Sequence, residues 1–211
     1  MKKIMPKYFT NIESYDKIVK SHYKDYLDMV LDYDSYANGK TFFEVEDETK
    51  DMLYAIQNAM DQNAMIIIAF SQMTIESFCN AYLIQYTPKK QLQSMTFEPK
   101  LRMTIRRLML TSGKRLTNKE ITNMYGVGLT ELINKRNKIV HRYPVIVNFD
   151  MTSVVKMEKT AKQGAIAIKR QSLRRIDRNT VKDIADAYPT LIQNLSNAGC
   201  TFDNLPFSYK V

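Results

Sequence analysis

One hexapeptide gathers the side chains best suited to chemistry: Arg136-Asn137-Lys138-Ile139-Val140-His141. An arginine stays charged at any working pH, and its planar fork of N–H donors matches a phosphate or a carboxylate. Histidine alone has an ordinary pKa that lets it take up and release a proton near neutrality. Together they set a permanent cation, which needs a carboxylate or phosphate where it is desolvated, beside a ring that can titrate near working pH. Asn137 supplies a neutral donor and acceptor beside them. The chain has two histidines, so His141 has one competitor for that role, His22. His22 sits among Lys20, Ser21 and Tyr23 with no partner pattern and reads as a surface residue.

The apolar spacing around the hexapeptide predicts a helix from about Leu129 to His141. At 100° per residue, Leu129, Leu132, Ile133 and Val140 form one stripe, with Ile139 at its edge. Arg136 falls in the middle of that stripe, while Asn137 and His141, four residues apart, share its flank. A cation among apolar neighbours needs a carboxylate or a phosphate, because it cannot neutralise itself. The position also suits an arginine whose head reaches solvent or pairs with an internal acid. At the last turn, the negative end of the helix dipole favours the protonated ring of His141. A histidine there equally suits capping of free carbonyls. Pro144 ends the helix.

The remaining pattern is helical almost throughout. Residues 10–36 form an amphipathic helix closed by the turn signal Asn38-Gly39. The acids from Glu44 to Asp51 mark the next helix start, which runs on from about Lys50 to Gln85 and stops at Pro88. Its run from Ala64 to Phe70 is apolar all round and predicts a buried central helix. A basic helix follows, roughly Glu98 to Leu110, with Leu101, Ile105, Leu108 and Met109 inward and Lys100, Arg102, Arg106 and Arg107 mostly outward. Thr117 with Glu120 is a capping box for a short helix ending before Gly126. The helix bearing Arg136 then opens between Gly128 and Thr130. Val145–Phe149 and Ala165–Ile168 look strand-like, and this region reads as a hairpin, a loop or another helix. Thr180 with Asp183 opens a final helix to about Asn197, kinked or split by Pro189. Six glycines and six prolines in 211 residues also favour long helices over a barrel or sandwich. The expected fold class is all-α.

The hexapeptide resembles the R-N-x-x-x-H signature of HEPN domains (higher eukaryotes and prokaryotes nucleotide-binding). The stretch Phe70-Ser71-Gln72-Met73-Thr74-Ile75-Glu76-Ser77-Phe78-Cys79-Asn80 is similar to the family's first core helix, where a Glu and an Asn four residues later are frequent. The likeness covers about residues 50–142 and the final helix near 180–198. It implies an HEPN-like up-and-down helical bundle over residues 46–199, interrupted by a hairpin or loop insertion at 145–176. Residues 1–45 would form an N-terminal helical extension and 200–211 a C-terminal tail. It further implies a homodimer whose two motifs meet in a cleft, and a metal-independent ribonuclease of toxin–antitoxin, phage-defence or RNA-processing systems. His141 would then act as general base or acid, Arg136 would stabilise phosphate charge, and Asn137 would orient the phosphate. Glu76, supported by Asn80, would be the buried carboxylate that positions Arg136. Tyr143 fits a longer R-x-x-x-x-H-x-Y form, in which an antitoxin silences the toxin by attaching AMP to the tyrosine. It also reads as a packing aromatic before Pro144.

Charge supports a polyanionic partner. Residues 1–86 hold 8 Lys, no Arg and 13 acids, whereas residues 87–211 hold 23 basic residues and 9 acids. A half-chain balance of +14 suits phosphate contacts with RNA or DNA. Lys138, Arg142, Arg106, Arg107, Arg174 and Arg175 are candidate contacts, each of which also reads as a solvated surface charge. No cofactor is expected: Gly126-Val127-Gly128 lacks the third glycine of a dinucleotide loop, and Ser112-Gly113-Lys114 lacks the upstream glycine of a P-loop. Two His and two Cys give no zinc spacing. Cys79 and Cys200 read as reduced thiols and the chain as cytoplasmic, with no signal peptide and no apolar run long enough for a bilayer. A non-catalytic module that binds RNA, a nucleotide or a partner protein competes with the nuclease reading.

Overall fold

The computed structural model describes residues 10–140, 177–200 and 202, without the side chains of residues 136–140. Among the described residues there are eight helices and no strand, so the all-α class is established. In chain order they are α1 (Ile12–Ala37), α2 (Asp47–Leu83), α3 (Lys89–Ser94), α4 (Phe97–Thr111), α5 (Asn118–Asn123), α6 (Gly126–Val140), α7 (Arg178–Ala185) and α8 (Ala187–Asn197). The strand-like segments Val145–Phe149 and Ala165–Ile168 lie outside the described residues.

α1 and α2 form an antiparallel hairpin. Tyr15 meets Phe70, with ring centroids 5.7 Å apart, and His22 Nδ1 lies 2.7 Å from Asn63 Oδ1. His22 is thus partly buried between two helices rather than a surface residue. The turn signal holds: Asn38 and Gly39 adopt φ of 47° and 73°, a region open to glycine and tolerated by asparagine. Ala37, Val45 and Leu53 make a small second core beneath this turn.

α2 is central, packing against α1, α4, α6, α7 and α8. Ile67, Ile75, Phe78 and Leu83 are fully buried along it. Its burial is not all round, because Met65, Ala69 and Met73, each four residues from the last, keep one strip at the surface. By length and composition α2 could cross a membrane, yet 50% of its apolar window is packed inside the protein, as in a core helix. α1 shares the main core through Ile12, Val19 and Tyr26. A bidentate pair from Arg178 to both oxygens of Asp34, each at 2.7 Å, ties the start of α7 to the last turn of α1.

The final helical segment is split, as Pro189 predicts, and the break falls at Asp186. Pro189 is the third residue of α8, where its missing N–H has no intrahelical acceptor to lose. The cap is Asp177, whose carboxylate accepts from the Thr180 amide at 3.0 Å. Thr180 therefore lies inside the helix instead of starting it. The capping box of Thr117 and Glu120 forms as read. α3 was not legible beforehand, since six residues give too short a pattern to register.

α6 opens at Gly126, before the expected position, with Gly126 at φ 68°. Thr130 does not cap it; its hydroxyl donates back to the Gly126 carbonyl at 2.9 Å. The next glycine decides how α6 docks. A Cβ on Gly128 would stand 1.8 Å from the Asp183 carbonyl oxygen and 3.4 Å from Ala187 Cα. The backbones of α6 and the α7–α8 junction therefore touch, and any side chain at 128 must push them apart. Gly128→Ala is expected to lower stability by about 1–3 kcal/mol, read by urea denaturation, although alanine is the better helix former. A neutral or stabilising result would refute the close approach.

Candidate functional site

α6 carries the hexapeptide. Leu129 and Leu132 are fully buried and Ile133 partly so. Arg136 follows in the same unbroken helix, four residues after Leu132 and three after Ile133, so its backbone position continues the buried stripe. Asn137 and Lys138 occupy the following positions of the same helix, which runs to Val140. His141, Arg142, Tyr143, Arg174 and Arg175 lie outside the described residues.

Glu76 and Asn80 sit one turn apart on α2, which packs against α6. Among the described residues the cation on Glu76 is Lys100: its Nζ donates to Oε1 at 2.6 Å, while Gln72 Nε2 donates to Oε2 at 3.4 Å. The side chain of Arg136, the cation expected there, lies outside the described residues. Lys100, expected to point outward, is 5% exposed. The reason lies in the face that α4 turns to α2. Phe97, Leu101, Thr104 and Leu108 are buried at three- and four-residue steps, and Lys100 lies four residues before Thr104 on that face. Its aliphatic stem packs there and its ammonium finds a carboxylate. The spacing Lys100–Thr104–Leu108 was the available signal, masked by the residue's charge.

Around this pair lies a buried polar group. Thr104 returns its hydroxyl to the Lys100 carbonyl at 2.9 Å. Burial pushes the Cys79 thiol up to about 12, against a hydrogen bond with Thr104 that works in the opposite direction. A thiol so held stays protonated near neutrality and is a poor nucleophile. Burial likewise pushes the Tyr125 phenol up to about 12. Asn80 Oδ1 is buried without a hydrogen-bond partner among the described residues. The Lys100–Glu76 pair and the Thr104–Cys79 contact brace α2 against α4.

Arg106, exposed, and Arg107, half-buried, line an open cavity of about 700 Å³ on α4 with Arg102. Arg102 donates to Glu98 Oε1 through Nε and Nη2, at 3.0 and 2.8 Å. Among the described residues no group of three His, Cys, Asp or Glu side chains could hold a metal ion.

Removing either partner of the buried pair has unequal consequences. Glu76→Ala strands an ammonium and is expected to cost about 3 kcal/mol in urea denaturation. Lys100→Met should cost less than half as much, because methionine refills the stem's volume and the Glu76 side chain, 29% exposed, can hydrate. Equal losses from the two would contradict this pairing. Compared with known proteins, the chain is matched by no family model, no curated protein and no solved structure.

Proposed function

We propose that the chain is a metal-independent endoribonuclease of the HEPN type, acting as a homodimer on RNA. The observation that supports this most is the register of α6: an unbroken helix, seated by Gly128, places Arg136 one turn beyond the fully buried Leu132. A guanidinium needs an anionic partner at such a position, and a scissile phosphate is one. His141 follows five residues later, which with Asn137 completes the R-N-x-x-x-H pattern.

On this reading His141 takes the proton from an RNA 2′-hydroxyl, whose oxygen attacks the adjacent phosphorus. The bond to the 5′-oxygen breaks and leaves a 2′,3′-cyclic phosphate, the leaving oxygen gaining a proton. Arg136 offsets the charge that builds on the non-bridging oxygens, and Asn137 orients them. Two copies would bring two motifs to one cleft. A cytoplasmic toxin–antitoxin or phage-defence role fits this activity, with Tyr143 as the residue an antitoxin would modify.

The purified protein is expected to cleave RNA in EDTA, leaving cyclic phosphate ends. His141→Ala should lower the rate by about 10²–10⁴-fold while light scattering still reports the parent's oligomeric state. RNA bound but left intact by the parent, across diverse sequences, would replace this reading with that of a non-catalytic binding module.

A further inference from the structure

The cavity on α4 combines oriented positive charge with an apolar floor. Arg102, Arg106 and Arg107 line it together with Met95, Met103 and Leu110. The three guanidiniums are not equivalent. Arg102 is neutralised by Glu98. Arg106 Nη2 donates to Asn118 Oδ1 at 2.8 Å, an acceptor that fixes the head without cancelling its charge. Arg107 places its guanidinium carbon 4.8 Å from the centre of the exposed Tyr86 ring, which fixes its plane and again leaves the charge intact. Among the described residues no carboxylate forms an ion pair with Arg106 or Arg107. Two pre-oriented cations therefore stand over methionine and leucine surface, in a cavity of the size that small-molecule ligands fill.

A ligand complementary to this needs anionic oxygens and a flat, largely apolar body at short range. A nucleotide unit has both. We propose that this groove binds single-stranded RNA, with phosphates on Arg106 and Arg107 and a base against Met95 and Met103. The inference rests on the nuclease reading for its biological sense, since it supplies a second foothold for the substrate, but not for its physics. An acidic peptide would satisfy the cations and leave the apolar floor without a matching group. The +14 balance of residues 87–211 points the same way, toward a polyanion long enough to meet several cations.

The test is fluorescence anisotropy of the full chain with a fluorescein-labelled single-stranded 12-nucleotide RNA, between 50 and 200 mM KCl. The double variant Arg106→Gln, Arg107→Gln should bind at least tenfold more weakly, and its log–log salt slope should fall by about 1.4, for two lost phosphate contacts. The exposed pair Lys17→Gln, Lys24→Gln on α1 removes the same charge and should stay within twofold of the parent. Arg107→Lys, which keeps the charge but loses the planar fork, should give an intermediate loss and guards against misfolding of the double variant. Equal weakening by the groove and α1 variants, or none by either, overturns the proposal, as does a polyglutamate of equal charge that binds more tightly than the RNA. Cleavage measured alongside separates the two readings. His141-dependent cleavage with groove-independent binding defeats only the groove; groove-dependent binding without cleavage defeats only the nuclease. An intact protein that binds no RNA defeats both.

Discussion

Residue 128 has no room for a side chain, and the arrangement of the C-terminal half follows from that. Because Gly128 lets the α6 backbone touch the carbonyl of Asp183, α6 seats directly on the α7–α8 junction. Leu129 and Leu132 then fall into the core shared with α2. Asn194 adds a tie by donating to the Met124 carbonyl at 3.1 Å, just ahead of α6. A glycine inside a helix is a poor helix former and loses more backbone freedom on folding than any other residue. Its place here is explained by contact, not by flexibility. The contact sets the rotation of α6 about its own axis, and so the helix face on which position 136 falls.

The other half is organised by a buried charge. Lys100 and Glu76 join α4 to α2 at the level of Cys79 and Thr104. An ion pair in such a place contributes little net stability but penalises any register that separates its partners. The pairing sorts the cations of α4 as well. One lysine turns in, and Arg102, Arg106 and Arg107 line the open cavity, Asn118 and Tyr86 holding two of them without neutralising them. A basic helix thereby acquires a structural face and a face on which two guanidiniums are held without a carboxylate among the described residues.

Much of this was legible in the sequence wherever periodicity and local chemistry agree. The amphipathic α1, the long α2, the Thr117–Glu120 capping box, the αL turn at Asn38-Gly39 and the split near Pro189 all depend on residues close in the chain. What could not be read depends on partners distant in sequence. Lys100 looked exposed because lysine usually is, and only Glu76, 24 residues away, makes its burial tolerable. His22 lacked any local partner because Asn63 lies 41 residues on. Gly128 reads in the sequence only as a possible helix start, since nothing near it announces the approach of Asp183. For the candidate site, the helical register of Arg136 followed from Leu129, Leu132 and Ile133. The engagement of Glu76 by Lys100 could not be read, because the wheel of one helix does not reveal a partner on another.

Native-state hydrogen exchange of the α6 amides tests the central claim directly, that close backbone contact makes α6 a rigid part of the core up to the threshold of the hexapeptide. The amides of Leu132 to Lys135 should exchange only with the slowest class, alongside Ile67, Ile75 and Phe78 of α2, in a single global opening. Exchange of those α6 amides through a separate, lower-energy opening, with α2 still protected, would contradict it.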